Sequence, residues 1–256
     1  MNAMNEAFSD GLRKLGVAPD DTLLVHSSLK ALGWIDGGAI AVVEALMHYL
    51  SRGTLLMPAL SYATVTAENP HFSVIDTPSC VGTIPEAYRT YPSVTRSIHP
   101  THSVCAWGAR AAEITERHGL DRTPVGENSP FRLLTACGGK ILMLGCGLRP
   151  NTFMHGVEEA AGLPYVLAEQ PVTFQITNRE GYTEEAVHRV HDFRDIAAQR
   201  YDRAADCTTI RSGKVLDADT YLLDSKDLWD AASDVLQRDP WYFVDRAKDL
   251  RKDDTQ

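Results

Sequence analysis

Apolar and polar positions alternate between two patterns along the first two-thirds of the chain. Thr22-Leu23-Leu24-Val25, Thr54-Leu55-Leu56-Met57, Ser103-Val104-Cys105-Ala106-Trp107 and Ile141-Leu142-Met143-Leu144 are short apolar runs. Such runs read as strands covered on both faces. The stretches between them carry helical spacing. Asn5 to Leu15 reads as an amphipathic helix, and Asp36 as the cap of a helix with Ile40, Val43, Met47 and Leu50 on one face. Gly53 ends that helix. Thr83 to Tyr91 is helical, with Pro85 near its first turn, and Ser129-Pro130 opens a short helix reaching Ala136. Strands separated by helices predict a layered α/β sheet.

The last third changes character. Pro171-Val172-Thr173-Phe174-Gln175-Ile176-Thr177 alternates as an antiparallel strand does, and Asn178 to Gly181 is a turn signal. Asp206 to Arg211 and Lys214 to Leu216 flank Ser212-Gly213, which reads as a second hairpin. Asp219 caps a long helix reaching Gln237. Arg251 to Gln256 are charged and expected to fray. The expectation is a single α/β domain over residues 1–256, its helix-flanked sheet extended by antiparallel strands.

Composition narrows the classes. With 256 residues, 44% of them hydrophobic and 23% charged, the chain has the balance of an ordinary globular protein and can bury a large core. No apolar run approaches the roughly 20 residues that span a bilayer, so no membrane partner is expected. Met1 to Asp10 has no basic segment followed by an apolar one. Five cysteines without a CxxC pair suggest reduced thiols and a cytoplasmic location. The net charge of −9 argues against nucleic acid and is compatible with a cationic substrate.

Chemistry concentrates in four segments that follow the apolar runs, where sites in open α/β sheets gather. In Thr152-Phe153-Met154-His155-Gly156-Val157-Glu158-Glu159, His155 and Glu158 lie three apart and share a helix face. A carboxylate beside an imidazole can orient the ring and stabilise its protonated form, as a general base requires; a surface pair is the alternative. His26-Ser27-Ser28-Leu29-Lys30 offers hydroxyls, N–H groups and a lysine for a phosphate-bearing cofactor, or simply caps the next helix. Arg96-Ser97-Ile98-His99-Pro100-Thr101-His102-Ser103 suits phosphate or carbonyl recognition. Its two histidines, with His155, would be the ligands of a metal-dependent hydrolase, although H-x-x-H on a loop is a weak metal signal. Ser61-Tyr62 lines a pocket or covers the core. Cys146 permits covalent acyl transfer, but a packed thiol fits its glycine-flanked context better.

Five motifs in one order, namely His26-Ser27-Ser28-Leu29, Val81-Gly82-Thr83-Ile84-Pro85-Glu86, Arg96-Ser97-x-His99-Pro100-x-His102-Ser103, Gly126-x-x-Ser129-Pro130 and Thr152-x-x-His155-x-x-Glu158, resemble the aminoglycoside 3-N-acetyltransferase (antibiotic N-acetyltransferase) family. The likeness runs from about Asp21 to Tyr165 and continues more loosely beyond. It implies an α/β fold of its own, distinct from the GNAT fold, and an acetyl-CoA-dependent enzyme of antibiotic resistance that needs no metal. It implies His155 as general base with Glu158 orienting it. Coenzyme A would be held by His26, Ser27, Ser28, Leu29 and Lys30 and by Arg96, Ser97, Thr101, His102 and Ser103. The acceptor would be a cationic amine, an aminoglycoside acetylated at its 3-amino group, met by Tyr62 and Glu159; another amine metabolite is the alternative. Ser103 and Thr83 are candidate oxyanion donors, and the last third, from about residue 166, would shape the acceptor pocket. The oligomeric state stays open.

Overall fold

The computed structural model describes residues 3–247; the expected fray at Arg251 to Gln256 lies outside them. In chain order the elements are α1 (Ala3–Leu15), β1 (Thr22–Ser27), α2 (Gly38–Tyr49), β2 (Thr54–Pro58), β3 (His71–Ser73), α3 (Thr83–Arg89), β4 (Thr95–Arg96), β5 (Val104–Gly108), α4 (Ala111–Thr115) and α5 (Pro130–Ala136). There follow β6 (Lys140–Leu144), α6 (Met154–Ala160), β7 (Val172–Thr177), β8 (Thr183–His188), β9 (Ile196–Gln199), β10 (Arg211–Val215), β11 (Ala218–Asp224), α7 (Ser225–Arg238) and β12 (Val244–Arg246).

Seven strands form the main sheet in the order β10-β11-β6-β1-β2-β5-β4. Its centre, β6-β1-β2, is parallel, and each strand outside it pairs antiparallel with its inner neighbour. The central apolar runs are buried on both faces. Leu23, Val25, Leu55, Met57, Leu142 and Leu144 pack with α1, α2 and α3. Their neighbours Leu24, Leu56, Ile141 and Met143 point the other way, against α5, α6 and α7. That double burial is why these strands read as unbroken apolar runs.

The last third departs from its expected pattern in three places. Strand β7 forms a hairpin with β8, but the pair joins β3 in a separate three-stranded sheet instead of extending the main one. Ser212 and Gly213 lie inside β10, not in a turn. The turn is Leu216-Asp217, with Leu216 at φ 53, and Gly213 leaves room for Leu15 of α1. The residues from Ala218 to Asp224 are a strand between β10 and β6, because Thr220, Leu222 and Leu223 are buried by the sheet and its two layers. The cap of α7 is therefore Asp224, whose carboxylate accepts from the N–H groups of Lys226 and Asp227, and not Asp219. Nearer the N-terminus, Gly37 rather than Asp36 precedes α2. Gly37 and Gly38 both take positive φ, and the helix turns Val42, Val43 and Leu46 inward and Ile40 outward.

Candidate active site

The C-terminal ends of β1, β2 and β6 open onto a cavity of about 620 Å³. Its wall draws on His26 and Ser27 from β1, Pro58 from β2, and Cys146 and Thr152 from the segment after β6. Gly145, at φ 73, starts that segment, and a side chain there would collide with the Ala31 methyl. The chain then turns into α6, which carries His155 into the wall. Gly156 lets this helix approach Val125 and Trp229 closely, fixing its depth.

Glu158, one helical turn on, is fully buried behind His155. Its Oε2 accepts the Tyr201 hydroxyl at 2.7 Å and lies 3.3 Å from His155 Nδ1. Its Oε1 accepts the Tyr165 hydroxyl at 3.2 Å. Tyr201 Oη is also 2.8 Å from His155 Nδ1. A phenol has one hydrogen to give. That hydrogen goes to the carboxylate, so Nδ1 of His155 must supply the hydrogen of the remaining contact. Burial, and then the Glu158 charge, hold the Tyr201 hydroxyl well above its usual pKa, so it stays protonated. The tautomer follows: Nδ1 carries the proton, and Nε2 offers its lone pair to the cavity. Phe193 stacks on the same ring at 5.1 Å.

The surrounding imidazoles are neutral and built in. His26 accepts the Thr152 N–H at its Nε2, 3.1 Å away, which ties β1 to the start of α6. Burial, with the charge of His155 second, pulls its pKa down to about 3. His191 gives Nε2–H to Glu159 at 2.7 Å, and His102 Nδ1 meets the Thr101 hydroxyl at 2.9 Å. The Cys146 thiol is pushed up to about 12 by burial, so its nucleophilic thiolate is scarce at neutral pH.

The profile of the aminoglycoside 3-N-acetyltransferase family matches residues 24–237. The chain belongs to this family. It is 28% identical to the SPbeta prophage-derived aminoglycoside N(3')-acetyltransferase-like protein YokD of Bacillus subtilis, over 96% of this chain and 95% of that protein. The fold matches AAC-IIIb in its binary complex with CoASH at TM-score 0.79, with 26% identity over 92% of this chain and 97% of that one. It matches a histidine-to-alanine variant of aminoglycoside acetyltransferase AAC(3)-IVa in complex with a gentamicin at the same TM-score, with 28% identity over 93% and 90%. As a member of the aminoglycoside 3-N-acetyltransferase family, the chain is an acyltransferase with an α/β fold.

Not every residue expected from that aminoglycoside 3-N-acetyltransferase resemblance reaches the cavity. His26, Ser27, Tyr62, Thr101, His102 and His155 do. Ser28, Leu29 and Lys30 fall beyond the wall, where the chain runs into a 3₁₀ turn. Arg96 is 4% exposed and does not hold a phosphate. Its guanidinium is spent on the Ser103 hydroxyl and the carbonyls of Ala59, Val74 and Thr77, tying three loops together. Ser103 is buried in that network and gives its hydroxyl hydrogen to the Ala59 carbonyl, and Ser97 is buried against His118 and the Val104 N–H. Neither they nor Thr83 line the wall, which leaves Ser103 and Thr83 poorly placed as oxyanion donors. Glu159 lies behind His191 and accepts the Val125 N–H, so it does not face an acceptor. His99 turns away to stack on His118 at 5.0 Å, and the third imidazole beside His102 and His155 is His191. Tyr201, Tyr165 and His191 have no counterpart in the sequence reading: the partners of Tyr201 and His191 lie too far along the chain for spacing to reveal them, and Tyr165, seven residues from Glu158, lies past the end of α6.

Proposed function

We propose that this chain is an acetyl-CoA-dependent N-acetyltransferase that acts by direct transfer, with His155 as general base. The observation that carries this reading is the pairing of His155 Nδ1 with Glu158 and Tyr201 on a ring that lines the cavity, which leaves Nε2 as the nitrogen free to act as base. An acceptor amine is mostly protonated at neutral pH. His155 Nε2 removes the proton, and the Glu158 carboxylate stabilises the imidazolium. The freed nitrogen attacks the thioester carbonyl, the carbon–sulfur bond breaks, the departing thiolate takes up the proton held by His155, and the second proton of the nitrogen leaves through His155 to solvent as the amide forms. No covalent enzyme intermediate is needed, in keeping with the unreactive thiol of Cys146. Arg149 is the one arginine or lysine among the described residues lining the cavity, and we assign to it a phosphate of coenzyme A. The last third contributes Val172, Phe174, Val190 and Phe193 to the wall and shapes the acceptor side.

The acceptor we favour is an aminoglycoside, acetylated at its 3-amino group, since related structures hold a gentamicin and sisomicin. One observation favours a second reading. Among the described residues no carboxylate lines the cavity, and Leu60, Val65, Val81, Phe174 and Phe193 give it an apolar surface suited to a less charged amine. A thiol-release screen with acetyl-CoA, set against aminoglycosides and monoamines with apolar bodies, decides between them. Release with aminoglycosides supports the first, and release with monoamines alone supports the second. Release with no amine would contradict the acetyltransferase reading.

A further inference from the structure

Three imidazoles meet at the inner end of the cavity. His102, His155 and His191 each present one ring nitrogen, and these atoms all lie within 4.8 Å of one another. One nitrogen of each ring is already engaged, which leaves the second as the candidate ligand: His155 Nδ1 pairs with Glu158 and Tyr201, His191 Nε2 with Glu159, and His102 Nδ1 with the Thr101 hydroxyl. This is the pattern of metal-bound histidines, in which an outer carboxylate or hydroxyl fixes the tautomer and aims the free lone pair. His191 makes the case stronger. Its side chain is 6% exposed, its Nδ1 is buried with no partner, and its ring lies 4.6 Å from that of His102 and 4.7 Å from that of His155. An unpaired buried lone pair is costly, and a cation would satisfy it.

We propose that His102, His155 and His191 form a site for one zinc-class divalent cation, with its fourth position open to the cavity. Three neutral imidazoles and an open position suit zinc, whose bonds to nitrogen are about 2.0–2.1 Å. Tetrahedral ligands are then about 3.3 Å apart, so the rings must draw in slightly; the 3.3 Å contact of His155 with Glu158 leaves slack for that movement. The ion takes the His155 Nε2 lone pair. Given the reading of His155 as base, metal occupancy and acetyl transfer exclude one another, and zinc acts as a reversible brake on the enzyme.

The test separates the two halves. Chelator-treated protein is titrated with Zn2+ against a chromogenic chelator, and with Co2+ followed by its visible spectrum. The expected result is one ion per chain and four-coordinate cobalt bands without the near-ultraviolet band of thiolate ligation. His191→Ala should weaken zinc binding at least tenfold, and Glu159→Gln by about 10–100-fold, as outer-shell changes do; the second variant keeps the test open if the first does not fold. No binding, or binding with a thiolate band that is indifferent to both variants, overturns the site. In the thiol-release assay zinc should lower turnover in step with occupancy, and a chelator should restore it. Turnover that rises with zinc would overturn the exclusion, whereas zinc binding in a protein without transferase activity would leave the site standing and remove the base reading.

Discussion

At the scale of single residues, the account rests on where one hydrogen sits. Tyr201 gives its only hydrogen to Glu158, and in the proposed mechanism this leaves the His155 Nε2 lone pair as the base. Tyr201→Phe should therefore lower kcat and leave the KM for acetyl-CoA nearly unchanged. Hydrogen bonds to charged groups contribute roughly 1.5–3 kcal/mol, so a fall of about 10–100-fold is expected. Steady-state kinetics check it, and a change confined to KM would contradict the positioning role. Cys146→Ala should keep turnover within about threefold of wild type, because a thiol pushed up to about 12 is a poor nucleophile. Mass spectrometry after mixing with acetyl-CoA alone should find no acetyl adduct on that cysteine. The His155–Glu158 pair is legible in the sequence because both sit on one helix, three residues apart. Tyr201, 46 residues from His155, is not. Arg96 shows the opposite failure. Its residue type and its loop suit a phosphate, but burial turns its donors toward the protein's own carbonyls.

At the scale of elements, apolar runs covered on both faces are legible, and cap positions are less so. The strands at the centre of the sheet begin or end within two residues of their predicted bounds. The segment from Asp219 to Gln237 reads as one helix because aspartates that can cap it occur at both 219 and 224. Pairing of β11 with β6 decides between them, and no local pattern reports a partner so far away along the chain. The Asp224 cap carries a direct prediction. Asp224→Ala removes the acceptor for Lys226 and Asp227 N–H groups and should destabilise the fold by about 1 kcal/mol, within the range of such caps. Urea unfolding with an unchanged m-value checks it; an unchanged midpoint would mean that α7 does not depend on this cap.

At the scale of the whole molecule, the histidines set the response to acid. Burial drags His26 and His118 down to about 3 and His188 to about 4, and holds His99, His102 and His191 well below 6.5. The unfolded chain binds protons at these groups first, so their contribution is whole above pH 6.5 and is lost as pH falls from there toward 4 and 3. Each adds a slope of about 1.4 kcal/mol per pH unit in that window. The urea midpoint should thus drop steeply as pH falls below 6.5, and a flat profile would contradict a set of neutral buried imidazoles. The net charge of −9 would attract the cationic acceptor proposed above to the molecule as a whole, an attraction that salt screens. The described residues of the wall itself include no carboxylate. The acceptor's identity is the part of the function least legible in the sequence, because the pocket is assembled from strands and loops far apart in the chain.

The central claim is that His155 takes the proton of the attacking amine, and its most direct measurement is kcat for thiol release from acetyl-CoA by wild type and His155→Ala, with the acceptor that the screen identifies. General-base catalysis contributes about 10²–10⁴-fold. The account predicts a loss of that order, with the melting temperature and coenzyme A affinity of the variant close to those of wild type. Turnover within about threefold of wild type would contradict it.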